Sequence, residues 1–115
     1  MTIDKSLLTG STTTLILKLL EEKDLYGYEM IETLAKKSNH TFDLKAGTLY
    51  PILHKLEKNQ LVESYETKAD SDRTRKYYHL TAKGKNLLKE KHQEWIVYST
   101  AVNKVLNGGL NYAII

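Results

Sequence analysis

The apolar residues of this chain pass from a helical rhythm to an alternating one and back, and the changes of rhythm mark its elements. Residues 11–22, Ser-Thr-Thr-Thr-Leu-Ile-Leu-Lys-Leu-Leu-Glu-Glu, set a polar start ahead of a dense leucine run. The hydroxyls suit an N-cap and the leucines suit a helix buried on most sides. After a link at Lys23-Asp24-Leu25, Tyr26-Gly27-Tyr28 leads into a second helix ending near Lys37, with Ile31, Leu34 and Ala35 facing inward. Residues 38–44 read as a turn. Residues 47–58 read as a short third helix, because Leu49, Leu53 and Leu56 at i, i+4 and i+7 share one side. Residues 61–67 then alternate loosely and are rich in β-formers, 68–74 are polar and turn-like, and 75–80 read as a strand running back. A long helix is predicted from about Thr81 to Asn107, stopped by Gly108-Gly109.

The fold class that follows is mainly α with a small β-hairpin wing (α+β). Residues 1–80 are expected to form a winged helix-turn-helix domain, and residues 81–115 a C-terminal helix with a short tail. The apolar tail, Leu110 to Ile115, is too short to assign.

The third helix has a division of labour that suits a DNA groove. Opposite its leucines lie Lys45, Thr48, Pro51, Lys55 and Lys58. Apolar groups anchor such a helix, short hydroxyls near its N-terminus approach base edges, and lysines reach phosphates. Lys45 and Thr48 are the candidates for base contacts, and Gly47 for close backbone approach. Pro51 lies early in the helix, where a missing donor is tolerated. The hydroxyl of Tyr50 either donates to a phosphate or belongs to a half-buried packing residue. Tyr26 and Tyr28, at the start of the second helix, are candidate phosphate donors near a positive helix end, with packing the alternative for Tyr28. In the wing, Arg73, Arg75 and Lys76 are placed to meet the minor groove or the flanking phosphates. The bland alternative to the wing is a hairpin with a solvated basic edge.

Charge supports this placement. Residues 1–44 hold five Lys/Arg against seven Asp/Glu, a net of −2, whereas residues 45–91 hold eleven against six, a net of +5. The positive charge lies over the DNA-reading elements, as displacement of phosphate counterions requires. No cysteine is present, which excludes disulfides and thiolate metal sites and fits a cytoplasmic protein. The pattern predicts neither a membrane span nor a signal peptide.

Along the last helix, Leu88, Trp95 and Val102 recur every seven residues, with Tyr98 and Val105 between them. A narrow stripe of this kind suits pairing with a second copy, although Lys91 interrupts it; folding back on its own domain would bury the same stripe. Trp95, the only tryptophan, is either an interface anchor or one half of a pair that sandwiches a flat aromatic ligand.

Enzymatic chemistry finds no constellation. His40, His54, His79 and His92 lack metal-ligand spacing, and Asp70-Ser71-Asp72 opens like a calcium loop without its glycine or distal glutamate. No phosphate loop or nucleophile motif occurs, and neither a metal nor a cofactor is expected. Between non-enzymatic classes, the alternative to a DNA-binding regulator is a winged-helix module that binds protein, which the basic patch disfavours.

Tyr26-Gly27-Tyr28-Glu29, Gly47-Thr48-Leu49-Tyr50-Pro51-Ile52-Leu53, Leu56-Glu57-Lys58 and Arg75-Lys76-Tyr77-Tyr78-His79-Leu80-Thr81, in this order and spacing, resemble the PadR-type transcriptional regulators. The likeness covers residues 10–84, and the single long C-terminal helix is similar to the short subfamily. It implies a homodimeric winged-helix repressor of a pseudo-palindromic operator in double-stranded DNA, with the C-terminal helices building the dimer. It also implies, for some members, release from DNA by phenolic or other planar aromatic compounds. Two departures stand out. The family usually has glycine after the recognition helix where Gln60 stands, so Asn59 or Gln60 must take any left-handed turn. The wing reads Ala69-Asp70-Ser71-Asp72-Arg73-Thr74 in place of glycine or proline, and two carboxylates repel phosphate, which favours Arg75 over Arg73 as a contact.

Overall fold

A computed structural model describes residues 2–68 and 73–108 of the chain. The elements are α1 (Lys5–Glu22), β1 (Leu25–Tyr26), α2 (Gly27–Lys37), α3 (Ala46–Lys58), β2 (Val62–Lys68), β3 (Thr74–Leu80) and α4 (Ala82–Leu106). Three helices and a three-stranded antiparallel sheet, ordered β1-β3-β2, make the expected winged helix; α4 continues from it.

Two elements differ from the expectation. The first helix begins six residues earlier than the hydroxyl run, at Lys5, because Asp4 caps it by accepting from the Ser6 amide at 3.0 Å. The threonines lie inside the helix. Thr12 is buried there, and its hydroxyl donates back to the Leu8 carbonyl, which satisfies it without ending the helix. The second difference is β1. Two residues carry no period, and only pairing of Leu25 with Tyr78 and Tyr26 with Tyr77 makes them a strand.

The core lies where α1, α2, α3 and the inner face of the sheet converge. Ile16, Leu17, Met30, Leu49, Leu53, Val62 and Leu80 are its most fully buried side chains. On α2 the inward residues are Met30, Leu34 and Ala35, with Ile31 packed at the margin. All three leucines of α3 are buried as their spacing required.

Backbone geometry explains the joints. At the end of α3, Gln60 takes φ +62°, and the Leu61 amide donates to the Leu56 carbonyl at 2.9 Å. That closes the helix as a glycine ordinarily does. Thr81 then caps α4, accepting from the Gly84 amide at 3.0 Å while its hydroxyl donates to the carbonyls of Gln60 and Leu61. Gly84 presses on the Leu61 carbonyl so closely that a Cβ would overlap it. Leu88, one turn on, is 5% exposed and belongs to the core cluster. The core therefore runs across the junction at residue 80 into the first two turns of α4.

Candidate nucleic-acid interface

The basic side of α3 is open to solvent. Lys45, Gly47, Thr48, Pro51, Lys55 and Lys58 are all exposed, and among the described residues none outside the helix comes within 4 Å of where a Cβ on Gly47 would sit. Lys45 is the N-cap and makes no side-chain cap bond; the Thr48 and Leu49 amides donate to its carbonyl, and the amides of Ala46 and Gly47 precede the first helix bond. An N-terminal end of this kind, with a positive dipole and a lysine, attracts a phosphate or a base-edge acceptor. Lys55 and Lys58 stand in its last turn.

Pro51 sits differently from the expectation. Because α3 starts at Ala46, Pro51 is its sixth residue and lies inside the helix. The proline removes the bond to the carbonyl four residues back, that of Gly47, which lies on the exposed side and is open to solvent.

The three tyrosines take three roles. Tyr28 is 62% exposed at the start of α2. Tyr50 is half-exposed, but its hydroxyl end and ring lie over Gly27, where any Cβ would overlap them. Its phenol packs α3 against α2, as the packing alternative expects, while the side chain stays 47% exposed. Tyr26 is partly buried in β1, its amide donating to Glu29 at 3.2 Å and its ring meeting the edge of Tyr77 at 5.4 Å.

The wing separates its basic residues. Successive residues of a strand face opposite sides, so Arg75 and Lys76 do not share an edge. Lys76 turns toward α3, 3.6 Å from Glu57, whose other oxygen accepts from the Ser64 hydroxyl. Arg75 turns to the outer face, its guanidinium carbon 4.5 Å from the centre of the Tyr26 ring. Of the expected trio, Lys76 is thus held by an acid of the protein itself. Arg73 is exposed, and the acidic pair Asp70 and Asp72 lies outside the described residues.

Several residues at the base of the wing escaped the sequence. Tyr26, Tyr77 and Tyr65 form a ladder across the three strands, with Tyr65 and Tyr77 stacked at 5.8 Å. Asp24, in the α1–β1 link, accepts from the Tyr65 hydroxyl at 2.7 Å and from His79 Nδ1 at 2.8 Å. Burial opposes its ionisation, but the hydrogen bonds from Tyr65 and His79 and the charge of the imidazole outweigh that and hold its carboxyl below the ordinary value. The one available signal was the alternation Arg75, Tyr77, His79 opposite Tyr65; Asp24 gave none.

Along α4 the apolar stripe divides. Leu88 was expected on a surface for a second helix; the structure corrects this by burying it in its own domain's core. Beyond it, Trp95 is 50% exposed, Tyr98 57% and Val105 80%, with Val102 half-buried on the same side. Leu106, on the same stripe and 75% exposed, was missed. The Trp95 and Tyr98 rings lie 6.1 Å apart. The stop at Gly108 is as expected, with φ +56°, while Gly109 and the tail 110–115 lie outside the described residues.

Among the described residues no group of three His, Asp or Glu is arranged to hold a metal, and no helix is long and apolar enough to cross a membrane. The geometry is that of a DNA-reading module, and comparison with known proteins agrees. The family model for the transcriptional regulator PadR-like family matches residues 16–90. A transcriptional regulator from Clostridium thermocellum is 34% identical and superposes with a TM-score of 0.80, over 87% of this chain and 97% of that one. A PadR-like transcriptional regulator from Bacillus cereus is 36% identical with a TM-score of 0.79, over 90% and 99%. A protein of Lysinibacillus sphaericus is 32% identical over 106 residues, 92% of this chain and 97% of its own length. The chain belongs to the PadR-like family of DNA-binding transcriptional regulators, and not to a family of enzymes.

Proposed function

We propose that the protein is a cytoplasmic, homodimeric repressor that binds a pseudo-palindromic operator and leaves it when a planar aromatic or phenolic compound binds at the dimer seam. The observation that carries the dimer is the exposed row on α4: Trp95, Tyr98, Val105 and Leu106 stand in water beyond the point where Leu88 enters the core. Burying such a row against its copy removes apolar surface worth roughly 25 cal/mol per Å². A second copy also supplies the second recognition helix, which a single wing and helix lack for two half-sites about 34 Å apart.

In this reading Lys45 and Thr48 approach base edges, the Gly47 backbone comes close to the groove, and Tyr28, Lys55, Arg73 and Arg75 meet phosphates. The half-exposed indole of Trp95, beside Tyr98, offers a rigid stacking surface for a flat ligand. Such a ligand acts as an inducer only by preferring a dimer whose recognition helices are misplaced. A tenfold release needs about 1.4 kcal/mol of differential binding.

Footprinting the protein on DNA upstream of its own coding region, with and without phenolic acids and planar dyes, tests the whole reading. Protection of two half-sites that fades with one of these compounds supports it. Protection of a single half-site by a monomer, or protection that no compound in a broad panel disturbs, removes the dimer or the inducer respectively. Loss of Trp95 fluorescence on titration locates the ligand beside Trp95, and calorimetric binding with an unchanged midpoint in Trp95→Phe places it elsewhere.

A further inference from the structure

Arg75 lies one register pair from the end of the wing hairpin, opposite Thr67, and its guanidinium rests on the ring of Tyr26. We propose that Tyr26 is a positioning residue for this arginine: its ring holds the guanidinium ready for a DNA phosphate, and its hydroxyl is not itself a DNA contact. The inference rests on the reading of Arg75 as a phosphate contact.

Tyr26 is fixed from several sides. Its backbone pairs with Tyr77 of β3, its amide donates to Glu29 at 3.2 Å, and its ring meets the edge of Tyr77. Tyr77 stacks in turn on Tyr65, whose hydroxyl donates to Asp24. Asp24 also takes the hydrogen bond from His79. Residues 24 to 26 thus clasp both strands of the wing, and the ring under Arg75 moves with neither strand alone.

At 4.5 Å from the ring centre the guanidinium is well inside the range of roughly 6 Å over which a cation is attracted to a π-face. A guanidinium stacked on a ring keeps the N–H groups at its edge free to donate, so stacking and phosphate binding are compatible. An arginine already held has less rotamer freedom to lose on binding than one waving from a strand. Lys76 is the contrast: it is tied to Glu57, whereas Arg75 meets no carboxylate among the described residues.

The test measures binding of the full chain to a duplex that it selects from a random-sequence pool, as a function of salt. Arg75→Ala is expected to weaken binding and flatten the log–log slope by about 0.9, the value for one phosphate. Tyr26→Phe keeps the ring and is expected to match the unaltered protein. Tyr26→Leu is expected to weaken binding several-fold, keep most of the salt slope because the arginine charge still reaches its phosphate, and add nothing in the Arg75→Ala background. A smaller folded fraction lowers binding by the same factor whether or not Arg75 is present, so the double-mutant cycle separates positioning from stability. Equal losses in Tyr26→Phe and Tyr26→Leu would make the hydroxyl a contact in its own right and overturn the inference. Full addition of Tyr26→Leu to Arg75→Ala, or a silent Tyr26→Leu beside a weakened Arg75→Ala, would overturn it alone. An Arg75→Ala protein with unchanged affinity and slope would remove the phosphate reading and the positioning with it.

Discussion

Tyr50 on α3 lays its phenol against the Cα of Gly27 at the first residue of α2, closely enough that a methyl group at position 27 would overlap both its hydroxyl and its ring. The two residues come from separate motifs, and their contact sets how α3 leans on α2. The seat of the recognition helix on α2 therefore depends partly on a glycine 23 residues before Tyr50.

Gly27→Ala is expected to expel Tyr50 from this seat and cost about 1–2 kcal/mol, because the displaced group is the outer end of a half-exposed side chain that has room to move. In the Tyr50→Ala background the same change should cost little. Gly84→Ala is expected to cost more than Gly27→Ala, since the atoms in its way are the Leu61 carbonyl and the Leu80 side chain, held in the core. Thermal melts of the four proteins rank these effects.

Replacing Asp24 with asparagine removes the charged acceptor that joins Tyr65 and His79. Asp24 has its carboxyl held below the ordinary value, so its contribution is complete above the unfolded value of about 3.9 and is lost as pH falls through the folded value. The Asp24→Asn penalty is expected at about 1 kcal/mol near pH 7, after allowing for a site about one-third exposed, and should shrink as pH falls below about 4. Denaturant midpoints of both proteins across that range check the sign.

Gln60→Gly is expected to stabilise the protein by about 1 kcal/mol. Gln60 holds φ +62°, which costs a residue with a Cβ roughly that much, while its carbonyl keeps the bond from Thr81 whichever residue stands there. An unchanged melting temperature would show that the turn relaxes without strain.

The two halves of the α4 stripe should fail in different ways. Leu88→Ala is expected to cost about 2–5 kcal/mol of folding stability, as for other buried leucines. Trp95→Ala with Val102→Ala should leave the fold intact and shift a dimer toward monomer. Sedimentation showing an unchanged dimer would put the interface elsewhere.

Much of this architecture was legible in the sequence because its signals are local. The leucines of α3 fixed its buried face, alternation fixed the hairpin, and the αL residue after α3 followed from the absence of glycine there. What stayed hidden depends on distance along the chain. β1 exists only through residues 77 and 78, so two residues without a period gave no sign of it. Asp24 meets partners 41 and 55 residues away, and Tyr50 meets a glycine whose role is the lack of a side chain. The pairing of Lys76 with Glu57 likewise needs the third dimension, which turned two adjacent basic residues into one engaged and one outward-facing. The hydroxyl run at residues 11–14 resembles a helix cap, but Asp4 lies upstream and caps α1 instead.

Sequence-specific binding depends on α3 reading bases from its N-terminal end, where Lys45 and Thr48 are exposed and no described residue crowds Gly47. The most direct measurement is the base preference selected from a random duplex pool by the unaltered protein, by Thr48→Ala and by Lys55→Ala. Lys55→Ala should weaken binding to all sequences alike, flatten the salt slope by about 0.9 if it meets one phosphate, and leave the preference unchanged. Thr48→Ala should relax the preference at particular positions of each half-site and keep it at the others. A Thr48→Ala protein that selects the same sequence with the same stringency at every position would contradict the placement of the recognition helix in the groove.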